Sequence, residues 1–241
     1  MSIEGGMDID SCLVDECIRH ARNLNLLEGS VHVSVHSQIP PSRGMKSSSS
    51  VSLAVLGAAF RAAGRKFTDT ALMRMSARVS ISAGVSVTGA YDDAAACHLG
   101  GLVFADNGRM RISRRMNVRA GYTALFCVPD RKISKRSLPM ESIMAHSGEM
   151  KRMYREAVSG RLRGACASNT KLLCRLLDID DSPASDASSA GALISGLTGT
   201  GPAFFALCER SDAERVANAL GRYGNVLSAH PTGVSDDGFA F

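Results

Sequence analysis

Residues 39–55 have the side chains and the spacing of an anion-binding loop. Two prolines interrupt regular structure, a glycine permits a tight turn, and four serines lead into an apolar, alanine-rich segment that is typical of a helix. The first amides of a helix have no acceptor within it, and the helix dipole makes this end positive. The stretch therefore predicts a phosphate site, and a serine-rich loop that merely caps a helix is the open alternative. The candidate residues are Pro40, Gly44, Lys46, Ser47, Ser48, Ser49 and Ser50.

A second candidate group is the adjacent pair Asp92 and Asp93, in a segment (85–101) that is otherwise mostly small and apolar. Two neighbouring carboxylates are costly to bury without partners, so the pair requires a cation, a hydrogen-bond donor or a chemical role. The alternative is that both aspartates merely cap a helix that begins at Ala94.

A glycine-rich turn, Gly-Leu-Thr-Gly-Thr-Gly-Pro, lies between two apolar segments at 196–202. Glycines let a backbone approach a ligand closely, so this turn can close over a bound molecule. A tight hairpin needs the same residues, and that alternative stays open. The candidate binding residues are Gly199, Thr200 and Gly201.

Hydrophobic periodicity predicts the elements that position these three stretches. The first half is predicted as a helix at 8–28, a strand at 31–35, a helix from the serines to Gly64, a helix from Thr68 to Val79, and a hairpin at 101–115 around Asn107-Gly108. The second half is predicted as a strand at 122–128, helices at 139–160 and 161–177, a polar link at 178–189, two strands flanking the glycine turn, a helix at 211–222, an edge strand at 225–229 and a tail at 235–241. A change of pattern near Val118 predicts two domains, 1–117 and 118–241.

The composition is typical of a globular chain that binds an anion. A length of 241 residues with 45% hydrophobic content suffices for a core, and a net charge of +5 suits an anionic partner. Few aromatic residues accompany the basic ones, which disfavours nucleic acid, and no apolar run is long enough to cross a membrane. The acidic start lacks signal-peptide features and favours the cytoplasm. The seven scattered cysteines are interpreted as reduced core residues.

Together, and in this order, the three stretches resemble the GHMP small-molecule kinases. Pro-x-x-x-Gly-x-x-Ser-Ser-Ser-Ser at 40–50, Thr-Gly-Ala-Tyr-Asp-Asp-Ala at 88–94 and the glycine turn at 196–202 look like the second motif, the catalytic-aspartate segment and the third motif of these enzymes. The central segment, followed by Gly-Gly and Asp106-Asn107, is most similar to archaeal-type shikimate kinase. The resemblance extends from about residue 8 to the C-terminus.

The resemblance implies phosphorylation of the shikimate 3-hydroxyl by ATP with Mg²⁺, in aromatic amino-acid biosynthesis. It also implies an α+β, two-layer fold, with a first domain that contains the left-handed crossover of a ribosomal protein domain, and nucleotide in the cleft between the two domains. Independently of the resemblance, the order strand-helix-helix-strand-strand-helix-strand predicts a ferredoxin-like second domain. Phosphoryl transfer needs oriented donors around the phosphate charge and an acceptor for the hydroxyl proton.

Carried over by residue, the resemblance assigns a role to each candidate. Gly44 and the serines 47–50 wrap the β- and γ-phosphates, and the turn 199–201 supports that loop and borders the substrate. Asp92 is the general base, and Ser49 and Asp92 bind magnesium. Asp93 orients the loop or helps to hold the metal, because two adjacent carboxylates do not both ionise well without a cation.

The chain departs from the family pattern in three respects. No counterpart of the family's first strand pair and first motif precedes the first helix, so we expect an incomplete N-terminal domain and an unpaired edge on the strand at 31–35. We therefore expect poor solubility or self-association, and weak or no activity. Lys46 replaces a residue that is more often small, and we expect it to add phosphate affinity. No acidic residue lies between Asp69 and Asp92, so the metal would rest on phosphate, serine and the paired aspartates.

Two alternative functions stay open. One is a GHMP kinase for another small alcohol, of homoserine or mevalonate type, and the other is a catalytically dead nucleotide-binding relative. The sequence identifies neither the arginine that binds the acceptor carboxylate nor the oligomeric state, and it leaves a homodimer open.

Overall fold

The structure, a computed structural model, describes residues 3–4, 10–131, 133 and 138–239. It divides into two compact units: the first comprises Met1–Pro41 and Lys46–Arg115, and the second comprises Ser42–Met45 and Met116–Phe241. The serine-rich stretch is therefore divided between them. Its turn belongs to the second unit, and its serines belong to the first.

The first unit consists mainly of helices that pack around one apolar core. Its elements are β1 (Ile3–Glu4), α1 (Ser11–Asn23), β2 (Val33–Ser34), α2 (Ser47–Ala62), α3 (Asp69–Ser82), α4 (Tyr91–Leu99), β3 (Leu102–Asp106) and β4 (Arg111–Met116). Leu13, Leu56, Met73 and Tyr91 are each at most 1% exposed and bring all four helices into this core. Burial of these apolar side chains is the main stabilising contribution to the unit.

Local capping fixes two of the helix starts as predicted. Asp10 accepts a hydrogen bond from the Cys12 N–H (3.0 Å), and the Thr68 hydroxyl accepts one from the Ala71 N–H (3.2 Å). Helix α1 nevertheless ends at Asn23, well before residue 28. The reason is that Asn25 adopts a left-handed conformation (φ 54°), which stops the helix before the chain reaches Gly29.

The strands of the first unit form two separate pairs within the described residues. Strand β1 pairs with β2 in parallel, with Ile3 opposite Val33 and Glu4 opposite Ser34. The predicted strand at 31–35 is thus only two residues long (Val33–Ser34). The expectation of an unpaired edge is wrong for the edge of this strand that pairs with β1. Strands β3 and β4 pair as the predicted hairpin around Asn107-Gly108. The left-handed crossover stays a prediction.

The second unit is a four-stranded sheet packed against helices. Its elements are β5 (Val118–Arg119), β6 (Tyr122–Val128), α5 (Met140–Ala145), α6 (Ser147–Val158), α7 (Leu162–Leu177), α8 (Ser182–Ser189), β7 (Ile194–Leu197), β8 (Phe204–Glu209), α9 (Ala213–Leu220), β9 (Asn225–Ala229) and β10 (Val234–Ser235). The sheet order is β7-β8-β6-β9, and every neighbouring pair is antiparallel. This is the order of a ferredoxin-like fold, which confirms the predicted class.

Two segments of the second unit differ from the prediction. The polar link at 178–189 contains helix α8, because Pro183 lies in its first turn, where a missing N–H costs no hydrogen bond. The tail also contains a strand, since β10 pairs with β5 and places Val234 opposite Val118. A Cβ on Gly238 would lie 2.4 Å from the Val118 carbonyl oxygen, so only glycine permits this approach. None of the described helices is long and apolar enough to cross a membrane.

The seven cysteines are all free, but they differ in exposure. Four are buried (Cys17, Cys127, Cys174 and Cys208), Cys166 is partly buried, and Cys12 and Cys97 are exposed. The prediction of core cysteines is therefore wrong for the two exposed ones. Burial raises the pKa of the Cys17 thiol to about 12 and that of Cys174 to about 12. The thiolate is the reactive form, so these buried thiols are inert at neutral pH.

We expect iodoacetamide at about pH 8 to alkylate Cys12 in the folded protein and to leave Cys17 unmodified. Both residues lie on α1, but Cys17 faces the core with 0% exposure. Peptide mass spectrometry of the labelled protein measures both sites, and labelling in urea, where both thiols should react, is the control. Equal labelling without denaturant would show that this face of α1 is not buried.

Candidate functional site

Helix α2 begins directly after Lys46, whose backbone is left-handed (φ 66°) and whose side chain does not cap the helix. The Ser50 N–H donates to the Lys46 carbonyl oxygen at 3.1 Å. The amides of residues 47–49 therefore have no acceptor within the helix. With the helix dipole they form a set of donors for an anion.

The four serines at this helix start differ in exposure. Ser47, Ser48 and Ser50 are partly exposed, whereas Ser49 is buried with 3% of its surface exposed. The Ser50 hydroxyl donates to Sγ of Cys97 on α4 at 3.4 Å. Contacts of the serines to phosphate or magnesium stay predictions, and Ser49 is the least accessible of the four.

The two aspartates of α4 have different partners. Asp93 forms an ion pair with Lys46, with 2.7 Å between Oδ1 and Nζ, and 17% and 32% of these side chains are exposed. This pair joins the first turn of α4 to the start of α2. Asp92 is exposed, and among the described residues its carboxylate has neither an ion pair nor a hydrogen bond. The two adjacent aspartates therefore differ: Asp93 is paired with a cation, and Asp92 faces solvent.

Helix α4 begins at Tyr91 instead of Ala94. Gly89 (φ 82°) and Ala90 (φ 49°) turn the chain, and a Cβ on Gly89 would lie 2.9 Å from the Ala77 carbonyl oxygen. Both aspartates therefore lie inside the first turn, and the alternative that they cap a helix from Ala94 is wrong. Tyr91 anchors the turn in the core, and burial raises the pKa of its hydroxyl above its ordinary value.

The turn between β3 and β4 holds the start of α4. Asn107 Oδ1 accepts a hydrogen bond from the Asp92 N–H at 2.8 Å. The neighbouring Asp106 accepts from the Arg109 guanidinium at 2.9 Å and from the Arg109 N–H at 3.0 Å, and these bonds hold the pKa of Asp106 below its usual range. Sequence reasoning identified Asn107 as a turn residue and as part of the family pattern, but not as a partner of Asp92, because no local pattern shows a partner 15 residues away.

In the second unit, Gly44 lies against the glycine-rich turn. Its φ is 79°, and a Cβ on Gly44 would lie 2.7 Å from the Thr198 carbonyl oxygen and 2.8 Å from the Gly201 carbonyl oxygen. Real Cβ atoms do not come this close to backbone oxygens, so no side chain fits at this position. The structure therefore brings the loop before the serines into contact with the glycine-rich turn at Gly44.

Arg43 fixes the same loop within the second unit. Its carbonyl oxygen accepts the Ala203 N–H at 3.2 Å, and its guanidinium donates to the carbonyl oxygens of Arg131, at 2.6 Å, and of Pro129. Sequence analysis did not single out Arg43. Its partners lie 86 and 88 residues further along the chain, so no local spacing could have shown this role.

The glycine-rich turn is a tight hairpin between β7 and β8. The Thr198 N–H donates to the Ala203 carbonyl oxygen, and the Gly201 N–H donates to the Thr198 carbonyl oxygen, both at 2.9 Å. Gly199 and Gly201 have φ of 57° and 72°, which a hairpin turn of this kind requires. A Cβ on Gly201 would also lie 2.9 Å from Leu197 Cδ1, which adds a second reason for glycine there. Any contact of Thr200, which is partly exposed, to a substrate stays a prediction.

Known proteins resemble this chain over both units. Residues 12–101 match the family described as GHMP kinases N terminal domain, and residues 185–226 match GHMP kinases C terminal. A shikimate kinase of Methanothermobacter thermautotrophicus is 35% identical over 226 residues, which is 90% of this chain and 77% of that protein. A shikimate kinase of Pyrococcus abyssi is 30% identical over 219 residues, which is 91% of this chain and 78% of that protein.

Solved structures share the fold at lower identity. A homoserine kinase from Cytophaga hutchinsonii has a TM-score of 0.73 at 19% identity, covering 97% of this chain and 82% of that chain. A mevalonate kinase from Methanococcus jannaschii has a TM-score of 0.68 at 16% identity, covering 91% and 73%. At such identities these structures show the fold alone, whereas the shikimate kinases match at higher identity over most of their length. The chain belongs to the archaeal-type shikimate kinase family of the GHMP kinases.

Proposed function

We propose that this chain transfers the γ-phosphoryl group of ATP to the 3-hydroxyl of shikimate, giving shikimate 3-phosphate and ADP. The observation that carries the proposal is the ion pair of Lys46 with Asp93, because it holds the anion-binding start of α2 beside the turn that carries Asp92. A phosphate site and an exposed carboxylate thus lie together in the first unit. The relatives named shikimate kinase support shikimate as the acceptor, and the proposal includes a cytoplasmic location.

The start of α2 fits the phosphates of a nucleotide. The amides of residues 47–49 and the partly exposed hydroxyls of Ser47 and Ser48 are donors, and the Lys46 ammonium adds a positive charge. Asp93 holds that ammonium in place at the end of the helix. Such preorganised donors stabilise charge on a phosphoryl group without reorganising during the reaction.

Magnesium, which the resemblance implies, neutralises phosphate charge when it is bound. In the part of the chain that the structure describes, no cluster of three or more His, Cys, Asp or Glu side chains could hold a metal. Magnesium does not require such a cluster, because it is usually held by one or two carboxylates and by the phosphates of the substrate. Asp92 is accessible for that role, whereas Ser49, with 3% exposed, reaches a metal only if the loop opens locally.

Asp92 is the carboxylate that is available to the acceptor. Its oxygen takes the proton of the shikimate hydroxyl while the hydroxyl oxygen attacks the γ-phosphorus. Asn107 orients it through the backbone, because the hydrogen bond to the Asp92 N–H fixes the first turn of α4. The Asp93 carboxylate forms an ion pair with Lys46, so it positions the loop and does not act as the base.

The acceptor and the phosphate site can be tested separately. In a coupled ADP-release assay we expect turnover with shikimate that is weak compared with the roughly 1–100 per second typical of kinases, and none with homoserine or mevalonate. In calorimetry, a Ser48→Ala, Ser49→Ala double variant should bind ATP about tenfold more weakly or worse, since hydrogen bonds to a charged group are lost. The control is Ser82→Ala, an exposed serine at the end of α3.

Three results would contradict parts of the proposal. Turnover with homoserine or mevalonate in place of shikimate would identify a GHMP kinase for another alcohol. ATP binding without ADP release, whatever the acceptor, would identify a nucleotide-binding relative that has lost catalysis. Unchanged ATP affinity in a folded Ser48→Ala, Ser49→Ala variant would show that these serines do not bind the phosphates of ATP.

A further inference from the structure

Two buried serines join helices α2 and α3 inside the first unit. Ser52 on α2 and Ser76 on α3 are each 0% exposed, and their hydroxyl oxygens lie 2.6 Å apart. The Ser52 hydroxyl also donates to the Ser49 carbonyl oxygen at 3.1 Å. A hydroxyl has one hydrogen, so Ser76 is the donor and Ser52 the acceptor of the bond between the helices. The two hydrogen bonds therefore connect α3, through Ser52, to the first turn of α2.

The stability of the core does not explain why these two positions are polar. The residues one turn away on the same helix faces are apolar and buried, with Leu56 after Ser52 and Met73 before Ser76. Replacing both partners of a buried hydrogen bond by apolar groups of similar shape is often nearly neutral for stability. Two alanines would therefore pack α2 against α3 about as well. The pair of hydroxyls needs another explanation.

The explanation lies in the direction of the bonds. Apolar contact is non-directional, whereas a hydrogen bond has a preferred length and angle, and a fully paired buried network makes the core around it rigid. The pair therefore fixes the rotation and the axial position of α2 on α3. Its last acceptor, the carbonyl oxygen of Ser49, lies in the same helical turn as the unpaired amides of residues 47–49. A shift of this turn moves those donors.

We propose that Ser52 and Ser76 are positioning residues for the phosphate-binding start of α2. This inference rests on the proposed function, because it takes the amides of residues 47–49 as donors to the nucleotide phosphates. Both serines are fully buried, so they act on the nucleotide only through the turn that they fix. Donors that are held in place stabilise phosphate charge without rearranging, and a small misplacement of such groups is costly.

The test compares Ser52→Ala with the double variant Ser52→Ala, Ser76→Ala. In the single variant the Ser76 hydroxyl loses its acceptor, so the Tm should fall by about 2–6 °C. In the double variant both hydroxyls are absent, and the Tm should return to within about 2 °C of the parent value. The Kd for Mg·ATP, measured by calorimetry, should nevertheless rise about tenfold in both variants, while the KM for shikimate stays within about twofold.

This separation of stability from ATP affinity distinguishes a positioning role from a merely structural one. An ATP affinity that returns to the parent value together with the Tm would overturn the inference. Ser76→Ala is a second variant, which removes the link to α3 and keeps the bond from Ser52 to Ser49. It should raise the Kd for ATP at least about threefold, and an unchanged Kd would also overturn the inference.

Ser80→Ala is the matched control. Ser80 lies on α3 one turn after Ser76, is 1% exposed, and has a hydroxyl without a hydrogen-bond partner among the described residues. This variant should keep the parent Kd for ATP, and its Tm should stay equal or rise, because an unpaired buried hydroxyl is removed. A rise in Kd equal to that of the double variant would show that any change in this face of α3 weakens binding, which would contradict a specific role of the pair.

Hydrogen exchange of the ligand-free protein tests the position of the turn without ATP. The amides of residues 50–53, which form the first hydrogen bonds of α2, should exchange about tenfold faster in the double variant than in the parent protein and in Ser80→Ala. Equal exchange rates would show that the pair does not hold this turn. If these rates differ but the parent protein binds no ATP, the proposed function fails and the role of the pair in holding the turn stands. If the parent protein binds ATP and phosphorylates shikimate while neither the rates nor the Kd change, only the role of the pair is wrong.

Discussion

Asp92→Asn should lower kcat with shikimate about 100-fold or more and leave the Kd for ATP within about threefold. Asparagine keeps the size of the side chain and the backbone hydrogen bond to Asn107, but it does not accept the proton of the acceptor hydroxyl. Because Asp92 is exposed, the substitution leaves no buried group unpaired. Steady-state kinetics with calorimetry on the same preparation separates lost chemistry from lost binding.

Asp93→Asn is the matched comparison, since it makes the same chemical change one residue further along α4 and removes the partner of Lys46. We expect the Kd for ATP to change more than kcat, because the ammonium at the start of α2 loses its anchor. Adding Lys46→Met to this variant should cost less than Lys46→Met alone, which is the signature of coupled residues. A larger loss of kcat in Asp93→Asn than in Asp92→Asn would reverse the two roles.

Gly44→Ala should lower both the free energy of unfolding and the affinity for ATP. An alanine at φ 79° costs about 1–2 kcal/mol in the backbone alone. Its Cβ would also lie 2.7–2.8 Å from the carbonyl oxygens of Thr198 and Gly201, and the Thr198 oxygen cannot move away without straining its hydrogen bond from the Gly201 N–H. We expect a total cost of about 3 kcal/mol, and a Kd for ATP raised on the order of 100-fold if the loop bears that cost on binding. Urea unfolding and calorimetry measure the two effects.

Gly29→Ala is the control that isolates the backbone cost. Gly29 has a similar φ of 63°, but a Cβ there would meet nothing within 4 Å. We expect it to lose only about 1–2 kcal/mol of stability and to keep its ATP affinity. Equal losses in the two variants would show that the contact of Gly44 with the glycine-rich turn has no energetic consequence.

The sequence by itself determined those features that depend on neighbours along the chain. Asp10 and Thr68 were recognisable as helix caps because a cap bonds an amide two or three residues away. The hairpin at Asn107-Gly108 and the mostly apolar run of β6 are equally local. The order of strands and helices then predicted the ferredoxin-like sheet, because few arrangements bury one face of such a sheet.

The tertiary structure alone decided which side chains of each motif meet. Asp92 and Asp93 are indistinguishable in sequence, and only the packing of α4 against α2 directs Asp93 to Lys46 and leaves Asp92 exposed. Arg43 gained its role in the same way, because its partners in the second unit lie far along the chain. The physical reason is that capping and turn preferences act over a few residues. Side-chain pairing across elements depends on the packed geometry of the whole unit, which no single stretch encodes.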